Sequence, residues 1–361
     1  MLALDVVQAA FGDCLVVRYA TTRTRRTLLI DGGPSGTYPR HLRPWLLGLA
    51  PKVKRIDVAV LSHIDNDHVK GLLDLFAELH EAGGPLPVGE LWHNAFSVSA
   101  GGADIAPRIR EALATAGDGA TGMKTLAGTL MGVGEGDALR ASAVALGVPI
   151  NERFGGEPIL ANGSSTLRIG GMRIDVIGPS TVTLEKLRRE WIRWLERHGR
   201  ALTAGSVAAG VAADSSIPNL SSIVLLVRAA GRSILLTGDG RGEHVVEGLQ
   251  ERGLLEPGGT FNVDVLKVPH HGSARNASEA FFRTVLADRY VISADGRYGN
   301  PDLECLRWIV DAAEGRPIEI VSTNQTDALR ALVRQRPPKR NGYKVTVASS
   351  KANAYTIMLD E

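Results

Sequence analysis

Short apolar runs that end in polar or glycine-containing loops dominate the first sixty residues. Their length and their content of β-branched residues predict strands over 2–8, 14–20, 27–30 and 56–61. The segment that follows has apolar residues at helical spacing, namely Val69, Leu72, Leu73, Phe76 and Leu79. This spacing predicts a helix, so a strand, a polar loop and a helix are expected to follow one another here.

The second half of the chain repeats this alternation. Ile223–Val227 and Ser233–Thr237 flank the sequence Ala-Ala-Gly-Arg, which predicts a β-hairpin. The other elements predicted in this half are strands over Val263–Val268, Tyr290–Ser293 and 354–359 and helices over 181–200 and 279–287.

Two stretches differ in composition from the rest. Residues 98–165 are rich in Ala and Gly and contain no recognisable chemical motif, so we interpret them as a partly helical insertion on the edge of the core. Residues 330–361 begin with a basic segment around Pro337-Pro338 and are interpreted as a basic C-terminal extension. The 41 glycines recur at the ends of apolar runs, which favours a strand-rich α/β chain over a helical bundle. A single domain over 1–361 is expected.

The charge balance narrows the class of protein. The chain has 41 Lys and Arg against 39 Asp and Glu, which excludes a polyelectrolyte tail and argues against nucleic-acid attraction over the whole surface. Mean hydropathy is +0.01 and no apolar run has membrane-spanning length, so no membrane protein is predicted. No secretory leader is recognised, and Cys14 and Cys305 lie far apart in sequence. Two reduced thiols in a cytoplasmic protein are therefore favoured over one long-range disulfide.

One polar cluster, His63-Ile-Asp65-Asn-Asp67-His68, follows the strand predicted over 56–61. Two carboxylates this close repel each other, and a cation between them removes the repulsion and uses the imidazoles as ligands. The cluster therefore predicts a site for a divalent metal. The alternative is that Asp67 caps the following helix and that both histidines lie in a surface loop.

Two further polar loops follow predicted strands. Asp239 stands between two glycines, which let the backbone turn sharply and leave the carboxylate pointing forward, although a simple turn aspartate is the alternative. His270 and His271 follow Lys267-Val-Pro, and adjacent side chains point apart along an extended backbone. One of the two is therefore expected to bind metal, and the other to support the ligands or to act as an acid or base.

The three loops together predict a centre for one or two divalent ions. Its expected ligands are His63, Asp65, Asp67, His68, Asp239 and one of the His270/His271 pair. Two ions bridged by a carboxylate can generate a metal-bound hydroxide at neutral pH and stabilise both the attacking and the leaving oxygen of a hydrolysis reaction.

The order of these motifs resembles that of the metallo-β-lactamase superfamily and, within it, the ComEC-type hydrolase domains of DNA-uptake proteins and their free-standing relatives. The resemblance rests on the H-x-D-x-D-H, T-G-D and K-V-P-H-H-G-S sequences and runs from the N-terminus to about residue 330, interrupted by the insertion. Supporting sequences are Gly12-Asp13, Asp31-Gly-Gly33, Asn219 with Ser221 and Ser222, and Tyr298-Gly-Asn-Pro301.

The resemblance implies a four-layer αβ/βα sandwich with the metals at one edge, between the two sheets. The ligands that it implies are His63 and Asp65 for one metal, Asp67 and His68 for the other, Asp239 as the bridge and His271, rather than His270, as the last ligand. Asp31 would orient the first metal loop, although a strand-ending turn fits the same sequence. Zn²⁺ or Mn²⁺ is the implied ion.

Three positions depart from the pattern of the superfamily. Most members have histidine where Asp65 stands, and an oxygen-richer set of ligands favours Mn²⁺ as well as Zn²⁺. No histidine lies between residues 94 and 197, so the histidine of the third motif is missing and one metal position is expected to have too few ligands. Asn300 stands where ComEC-type relatives tend to carry histidine, so a role of that histidine in protonating a leaving group would be altered.

The predicted function is hydrolysis of phosphodiester bonds, and the resemblance favours a DNA nuclease. Asp67, Lys267 and His270 are the predicted catalytic residues. Lys267, Ser273 and Asn219 are predicted to contact phosphate or to support the ligands, although a buried lysine at a strand end is an alternative for Lys267. Two other functions stay open, namely hydrolysis of a small phosphoester or nucleotide, and a non-catalytic interaction module stabilised by metal.

Overall fold

The computed structural model describes residues 1–49, 53–94, 124–161, 166–186, 188–189, 192–193 and 221–359. Its strands are β1 Leu2–Val7, β2 Leu15–Ala20, β3 Arg25–Ile30, β4 Val58–Leu61, β5 Leu91–His93, β6 Leu167–Ile169, β7 Met172–Gly178, β8 Val224–Ala229, β9 Arg232–Leu236, β10 Phe261–Lys267, β11 Val285–Ile292, β12 Ile318–Ser322, β13 Tyr343–Val347 and β14 Ala354–Leu359. They form a six-stranded sheet in the order β14-β1-β2-β3-β4-β5 and an eight-stranded sheet in the order β13-β12-β11-β10-β9-β8-β7-β6.

The helices lie mainly between strands of the same sheet. They are α1 Arg43–Leu49, α2 Asn66–Ala82, α3 Lys124–Ala145, α4 Gly242–Glu251, α5 Glu279–Thr284, α6 Leu303–Ala312, α7 Asp327–Gln335 and α8 Pro338–Asn341. Residues 181–186, 188–189 and 192–193 are also helical, in agreement with the amphipathic helix predicted over 181–200, whose other residues lie outside the described part.

Three apolar clusters separate the layers of the fold. Alternate residues of one strand face opposite sides of a sheet, and in β8 the side chains of Val224 and Leu226 face a cluster shared with α4, α5, α6 and α7. Leu225 and Val227 face the other way and join a cluster with strands of the six-stranded sheet. A third cluster lies between that sheet and helices α1, α2 and α3. The order is therefore helices, sheet, sheet, helices, and the predicted αβ/βα sandwich is confirmed.

The predicted hairpin forms between β8 and β9, which pair antiparallel. Its turn has positive φ at both Ala230 (51°) and Gly231 (71°), as tight hairpin turns require. The helix predicted over 279–287 ends earlier, at Thr284, because the chain from Val285 onwards pairs in parallel with β10. Strand pairing outweighs the helical pattern at these residues.

Residues 330–361 are not an extension, which corrects the expectation from their basic composition. β13 closes one edge of the eight-stranded sheet beside β12, and β14 closes one edge of the six-stranded sheet beside β1. Leu2 pairs with Leu359, and both side chains are buried between the sheets. The basic residues of this segment therefore belong to elements that complete the two sheets.

The proposed insertion over 98–165 falls partly outside the described residues, which exclude 98–123 and 162–165. Within it, α3 packs on the helical layer of the six-stranded sheet, where Leu139 and Ala143 join the cluster that contains Leu72 and Phe76 of α2. Lys70 of α2 and Glu135 of α3 form an ion pair across this contact.

Cys14 and Cys305 are free and buried, as expected for reduced thiols. Among the helices in the described part of the chain, none has the length and apolarity that a bilayer crossing requires.

The carboxyl ends of several parallel strands meet at one rim between the two sheets. β3 is parallel to β4, and β10 is parallel to both β9 and β11. The loop after β4 is joined to the eight-stranded sheet by a backbone hydrogen bond from Ile223 N–H, just before β8, to the carbonyl of Ser62 at 2.9 Å. The loops after β9 and β10 are joined by one from His270 N–H to the carbonyl of Gly238 at 3.2 Å. The three polar loops singled out in the sequence therefore converge at this rim.

Candidate metal centre

Asp239 lies among four histidines at the rim. Its Oδ2 atom is 3.7 Å from Nε2 of His63 and 3.5 Å from Nε2 of His270. Its Oδ1 atom is 3.5 Å from Nε2 of both His68 and His271. One carboxylate therefore offers a separate oxygen to each of two pairs of imidazoles, which is the arrangement that a bridging ligand needs.

The two aspartates of the first loop lie on opposite sides of this arrangement. Asp65 Oδ2 is 3.6 Å from Nε2 of His63. Asp67 Oδ2 is 3.8 Å from Nε2 of His68 and 3.3 Å from Nε2 of His271. The first loop therefore supplies one imidazole and one carboxylate to each side of Asp239.

We call these two groups metal position 1 and metal position 2. Position 1 comprises His63, Asp65 and Oδ2 of Asp239, and position 2 comprises Asp67, His68, Oδ1 of Asp239 and His271. Ligands about 2.1 Å from an ion in a tetrahedral site are about 3.4 Å from one another. The observed separations of 3.3 to 3.8 Å are close to that spacing.

The inner histidines of position 2 are oriented through their Nδ1 atoms. Nδ1 of His271 is 2.8 Å from the carbonyl oxygen of Ser293, which can only accept a hydrogen bond. Nδ1 of His68 is 2.8 Å from Oδ2 of Asp31. In both rings Nδ1 therefore carries a proton, and once Nε2 is deprotonated its lone pair points towards Asp239, as in metal-binding histidines held by an outer hydrogen bond.

The histidines nearest to Oδ2 of Asp239 are held in the same way. Ser62 donates its hydroxyl to Asp31, so its oxygen accepts from Nδ1 of His63 at 3.1 Å. Asn276 donates its amide nitrogen to the carbonyl of Asp239 at 2.9 Å, which leaves its oxygen to accept from Nδ1 of His270 at 2.7 Å. All four rings thus turn Nε2 towards the same carboxylate.

Buried polar atoms at the centre lack hydrogen-bond partners within the described residues. They are Nε2 of His63, His68 and His271 and Oδ1 of Asp239. Burying such atoms without a partner costs free energy, and a neutral imidazole nitrogen cannot donate a hydrogen bond to the facing carboxylate oxygen. A divalent cation accepts lone pairs from both kinds of atom, so the residues present fit a metal.

The pKa shifts of the buried residues also favour a cation at this centre. Although burial opposes protonation, the carboxylates of Asp239 and Asp31 hold the pKa of His68 well above its usual value. Burial also opposes protonation of His271, but Asp239 and Asp13 together outweigh it and raise the pKa of that ring. In turn, although burial opposes ionisation, His271 holds the pKa of Asp239 well below its usual range. The centre therefore favours positive charge beside Asp239, which a bound divalent ion would supply in place of protons.

Lys267 does not face the rim. Its side chain is fully buried, its Nζ is 2.5 Å from Oδ2 of Asp13, and it donates a hydrogen bond to the carbonyl of Val268. This burial leaves no surface for contact with a substrate phosphate, so the geometry speaks against the catalytic role predicted from the sequence and for the buried-lysine alternative.

Asp13 is the residue at this centre to which sequence reasoning gave no role. Asp13, His68, Asp239 and His271 each offer an atom within 4.8 Å of the others. Oδ1 of Asp13 is 3.5 Å from Nδ1 of His271, on the side of the ring away from Asp239. Burial raises the pKa of Asp13, but Lys267 and His271 outweigh it and lower that pKa. The Gly12-Asp13 sequence was the available signal, although nothing in it indicated a buried ion pair.

The remaining predicted residues support the His270 loop or lie outside the described chain. The Asn300 side chain donates to the carbonyl of His270 at 3.3 Å, and the backbone N–H of Ser273 donates to the same carbonyl at 2.9 Å. Both residues therefore brace this loop. Asn219 lies outside the described residues.

The backbone of the His270-His271 pair is unusual. φ is 45° at His270 and 56° at His271, so two successive residues with side chains occupy the left-handed region. Each such residue costs of the order of 1–2 kcal/mol, and strain of this kind is concentrated at functional sites. It also corrects the expectation that the two rings point apart, because that expectation assumed an extended backbone.

Comparison with known sequences agrees with this geometry. Residues 8–110 match the sequence profile of the Metallo-beta-lactamase superfamily. The chain is 30% identical over 121 residues, 33% of its length, to ComE operon protein 3 of Bacillus subtilis (strain 168). That match covers 14% of the Bacillus protein, so the chain corresponds to a small part of this relative.

Two solved structures that match the chain do so at low sequence identity and with TM-scores below 0.5. The metallo-beta-lactamase fold protein YhfI from Bacillus subtilis is 11% identical, with 99% of each chain covered and a TM-score of 0.42. A diphosphatase from the PhnP family is 12% identical, with 99% of this chain and 98% of that chain covered and a TM-score of 0.40. With its four layers, its motifs and the profile match, the chain has the metallo-β-lactamase fold that the motifs predicted. The profile match over residues 8–110 supports the prediction of a metal-dependent hydrolase.

Proposed function

We propose that this chain, which has the metallo-β-lactamase fold, is a metal-dependent hydrolase of phosphodiester bonds and that DNA is its favoured substrate. The observation that carries the proposal is the position of Asp239, which turns one oxygen towards His63 and the other towards His68 and His271. Such a carboxylate would hold two cations side by side. Two cations bound here would supply an activated water at neutral pH and stabilise charge on the oxygens of a phosphoryl group.

The open side of the centre is defined by the exposure of its residues. The side chains of His63 and His68 are fully buried, and that of His271 is 3% exposed. Asp65, Asp67 and His270 are 23–25% exposed and border the solvent side. A substrate phosphate therefore approaches over these three residues, while the buried imidazoles form the floor.

The residues of this chain have separable tasks in the proposed reaction. Asp239 fixes the distance between the two positions. Asp31 and the carbonyl of Ser293 keep the rings of position 2 in the tautomer that binds metal. Asp65 and Asp67 add an oxygen ligand to each position, and this mixed donor set suits Zn²⁺ or Mn²⁺.

Side chains beside the centre support a nucleic-acid substrate. Phe11 lies two residues before Asp13, and its ring makes an edge contact with Tyr298 at a centroid distance of 4.9 Å. Tyr298 is 72% exposed, and the guanidinium of Arg297 lies 4.9 Å from the Phe11 ring. Aromatic rings stack on bases and guanidinium groups bind phosphate, so this edge offers the contacts that a DNA strand uses.

Cleavage of linear and circular DNA with added Mn²⁺ or Zn²⁺ tests the proposal, with wild type compared with Asp67→Ala. Loss of the Asp67 carboxylate removes a ligand from position 2 and is expected to lower cleavage by more than about 100-fold. Asp74→Ala is the matched control, because Asp74 lies exposed on the same helix, α2, away from the centre. It is expected to cleave like wild type.

Three other outcomes would redirect the assignment. Turnover of bis-p-nitrophenyl phosphate without DNA cleavage would favour a small phosphoester or nucleotide as substrate. Inactivity on both substrates by a protein that keeps its metal would favour the interaction module. Equal cleavage by wild type and Asp67→Ala would eliminate the proposed mechanism.

A further inference from the structure

We propose that both histidines of the His270-His271 pair bind metal, one at each position, and that His270 is the fourth ligand of position 1. The proposal rests on the metal centre of the proposed function and changes the role expected for His270 from that of an acid or base to that of a ligand. It also identifies the group that takes the place of the histidine missing from the third motif.

The distances place His270 on the same side of the Asp239 carboxylate as His63. Its Nε2 is 3.5 Å from Oδ2 of Asp239, the oxygen that faces His63, whereas His271 lies 3.5 Å from Oδ1. These separations match the spacing of about 3.4 Å between neighbouring ligands of one tetrahedral ion. The two rings of the pair are therefore divided between the two positions by the same carboxylate.

The backbone explains how adjacent residues reach two ions. On an extended chain the two side chains would point to opposite sides, but with φ of 45° and 56° both rings turn to the same rim. The ring centroids are 5.8 Å apart and their planes are inclined by 74°. The two left-handed residues allow both adjacent rings to face the carboxylate of Asp239, as two ligands need.

The tautomer of His270 is the one a ligand needs. Because the amide of Asn276 is fixed by its bond to the carbonyl of Asp239, its oxygen must accept from Nδ1 of His270. The neutral ring then carries its lone pair on Nε2, the atom that faces Asp239. Asn300 holds the carbonyl of His270 from behind, so both ends of the residue are fixed.

Within the described residues, position 1 has three other ligand atoms, from His63, Asp65 and Asp239. His270 would bring its protein ligands to four, the same number as at position 2. Of the eight histidines in the described part of the chain, four meet at Asp239, and three of these are already assigned. His93 is an alternative candidate among the described residues, because a Cβ placed on Gly136 would contact both Ile64 and Nε2 of His93, which puts His93 near the first metal loop.

Metal content and affinity test the assignment without reference to activity. Wild type and His270→Asn are equilibrated against buffered Zn²⁺ and measured by mass spectrometry of the metal, and Co²⁺ binding is followed by visible absorption. Asn tolerates the left-handed backbone, so the substitution removes the imidazole and keeps the loop. Wild type is expected to hold two ions. His270→Asn is expected to hold one ion with unchanged affinity and to bind the second more than about 100-fold more weakly, beyond the 10- to 100-fold loss typical of a supporting residue.

Two control variants sharpen this test. His80→Ala removes an exposed histidine of α2 and is expected to leave both affinities unchanged. His93→Leu removes the competing buried histidine and is also expected to leave both ions in place. Loss of the second ion in His93→Leu, with His270→Asn unaffected, would overturn the proposal and assign the ligand to His93.

Failure of this inference is distinguishable from failure of the proposed function. Unchanged metal content and affinity in His270→Asn, with only a limb of the pH–rate profile altered, would overturn the ligand role in favour of an acid or base. A wild type that binds two ions but cleaves no phosphodiester would contradict the proposed function and leave the ligand assignment intact. A wild type that binds no metal would overturn both.

Discussion

Oδ2 of Asp31 lies 2.8 Å from Nδ1 of His68, so a carboxylate at the end of β3 fixes a ring in the first turn of α2. The same carboxylate accepts from the backbone N–H and the hydroxyl of Ser62, each at 2.7 Å. Asp31 therefore holds both ends of the first metal loop, which favours the orienting role over a simple turn.

Replacing Asp31 by Asn is expected to weaken metal binding at position 2 by about 10- to 100-fold. The Asn amide has one acceptor oxygen, so its NH₂ group must face at least one of the three donors now bound by Asp31. Asn also tolerates the φ of 58° at this residue, so the backbone is preserved. Competition with a chelator measures the affinity, and Asp74→Asn on the exposed face of α2 is the control. Unchanged affinity in Asp31→Asn would show that the ring is held by other contacts.

Gly12 tests how closely the N-terminal loop packs on the metal loop. A Cβ at Gly12 would lie 2.0 Å from the carbonyl oxygen of Asp67, so Gly12→Ala must push the two loops apart. Metal affinity at position 2 is expected to fall, because Asp67 and His271 lie only 3.3 Å apart and lose their spacing. The free energy of metal binding is measured by calorimetry.

Gly48→Ala is the matched control for this substitution. Gly48 is exposed on α1 and nothing in the described chain lies within 4 Å of its added Cβ. Ala is a better helix former than Gly, so this variant is expected to gain about 0.5–1 kcal/mol of stability and to bind metal normally. Equal metal binding by the two variants would mean that the loops can shift without consequence.

The convergence of the three polar loops could be predicted from the sequence because each loop follows an apolar strand. His63 follows β4, Asp239 follows β9, and His271 follows β10. Parallel strands place their carboxyl ends at one edge, so side chains far apart in sequence are brought together by topology alone. The strand over 354–359 was also predicted with the bounds that the structure shows.

Other features depend on backbone conformation or on long-range pairing and could not be predicted from the sequence pattern. The paired orientation of His270 and His271 arises from two left-handed residues, and neither is a glycine that would signal them. The partner of Lys267 is Asp13, more than 250 positions earlier in the chain, and the two meet only because the sheets are stacked. The residues adjacent to Lys267 and Asp13 in the sequence therefore do not indicate this pairing.

The buried ion pair between Lys267 and Asp13 is expected to be structural. Lys267→Met leaves the Asp13 carboxylate buried without its cation and is expected to destabilise the metal-free protein by about 3–5 kcal/mol. Lys267→Met/Asp13→Leu removes both charges and is expected to recover most of this loss. Urea unfolding in the presence of a chelator measures each variant. Lys344→Met, which breaks the pair between the exposed Lys344 and Glu319, is the control and is expected to change stability little.

A contact between Lys267 and substrate would give the opposite pattern. Lys267→Met would then keep wild-type stability and raise KM for DNA, and the double variant would show no recovery. Because the side chain of Lys267 is fully buried, the stability effect is the expected one.

Asp175 lies on β7 at a distance from the metal centre and tests the pH dependence of folding. Its buried carboxylate accepts hydrogen bonds from Thr166 at 2.6 Å and from Arg252 at 3.1 Å, and it pairs with Arg228. Although burial opposes ionisation, these partners lower the pKa of Asp175 in the folded protein. Its contribution to stability is therefore present above the unfolded pKa of about 3.9 and is lost as the pH falls through the lower folded pKa.

Asp175→Asn is expected to cost about 3 kcal/mol from pH 7 to pH 5, with the difference from wild type narrowing below about pH 4 in urea unfolding. Asp288→Asn, which breaks an exposed pair with Arg316, should cost less than about 1 kcal/mol throughout. A difference for Asp175→Asn that stays constant down to pH 3 would show that the carboxylate acts through its shape and hydrogen bonds rather than through its charge.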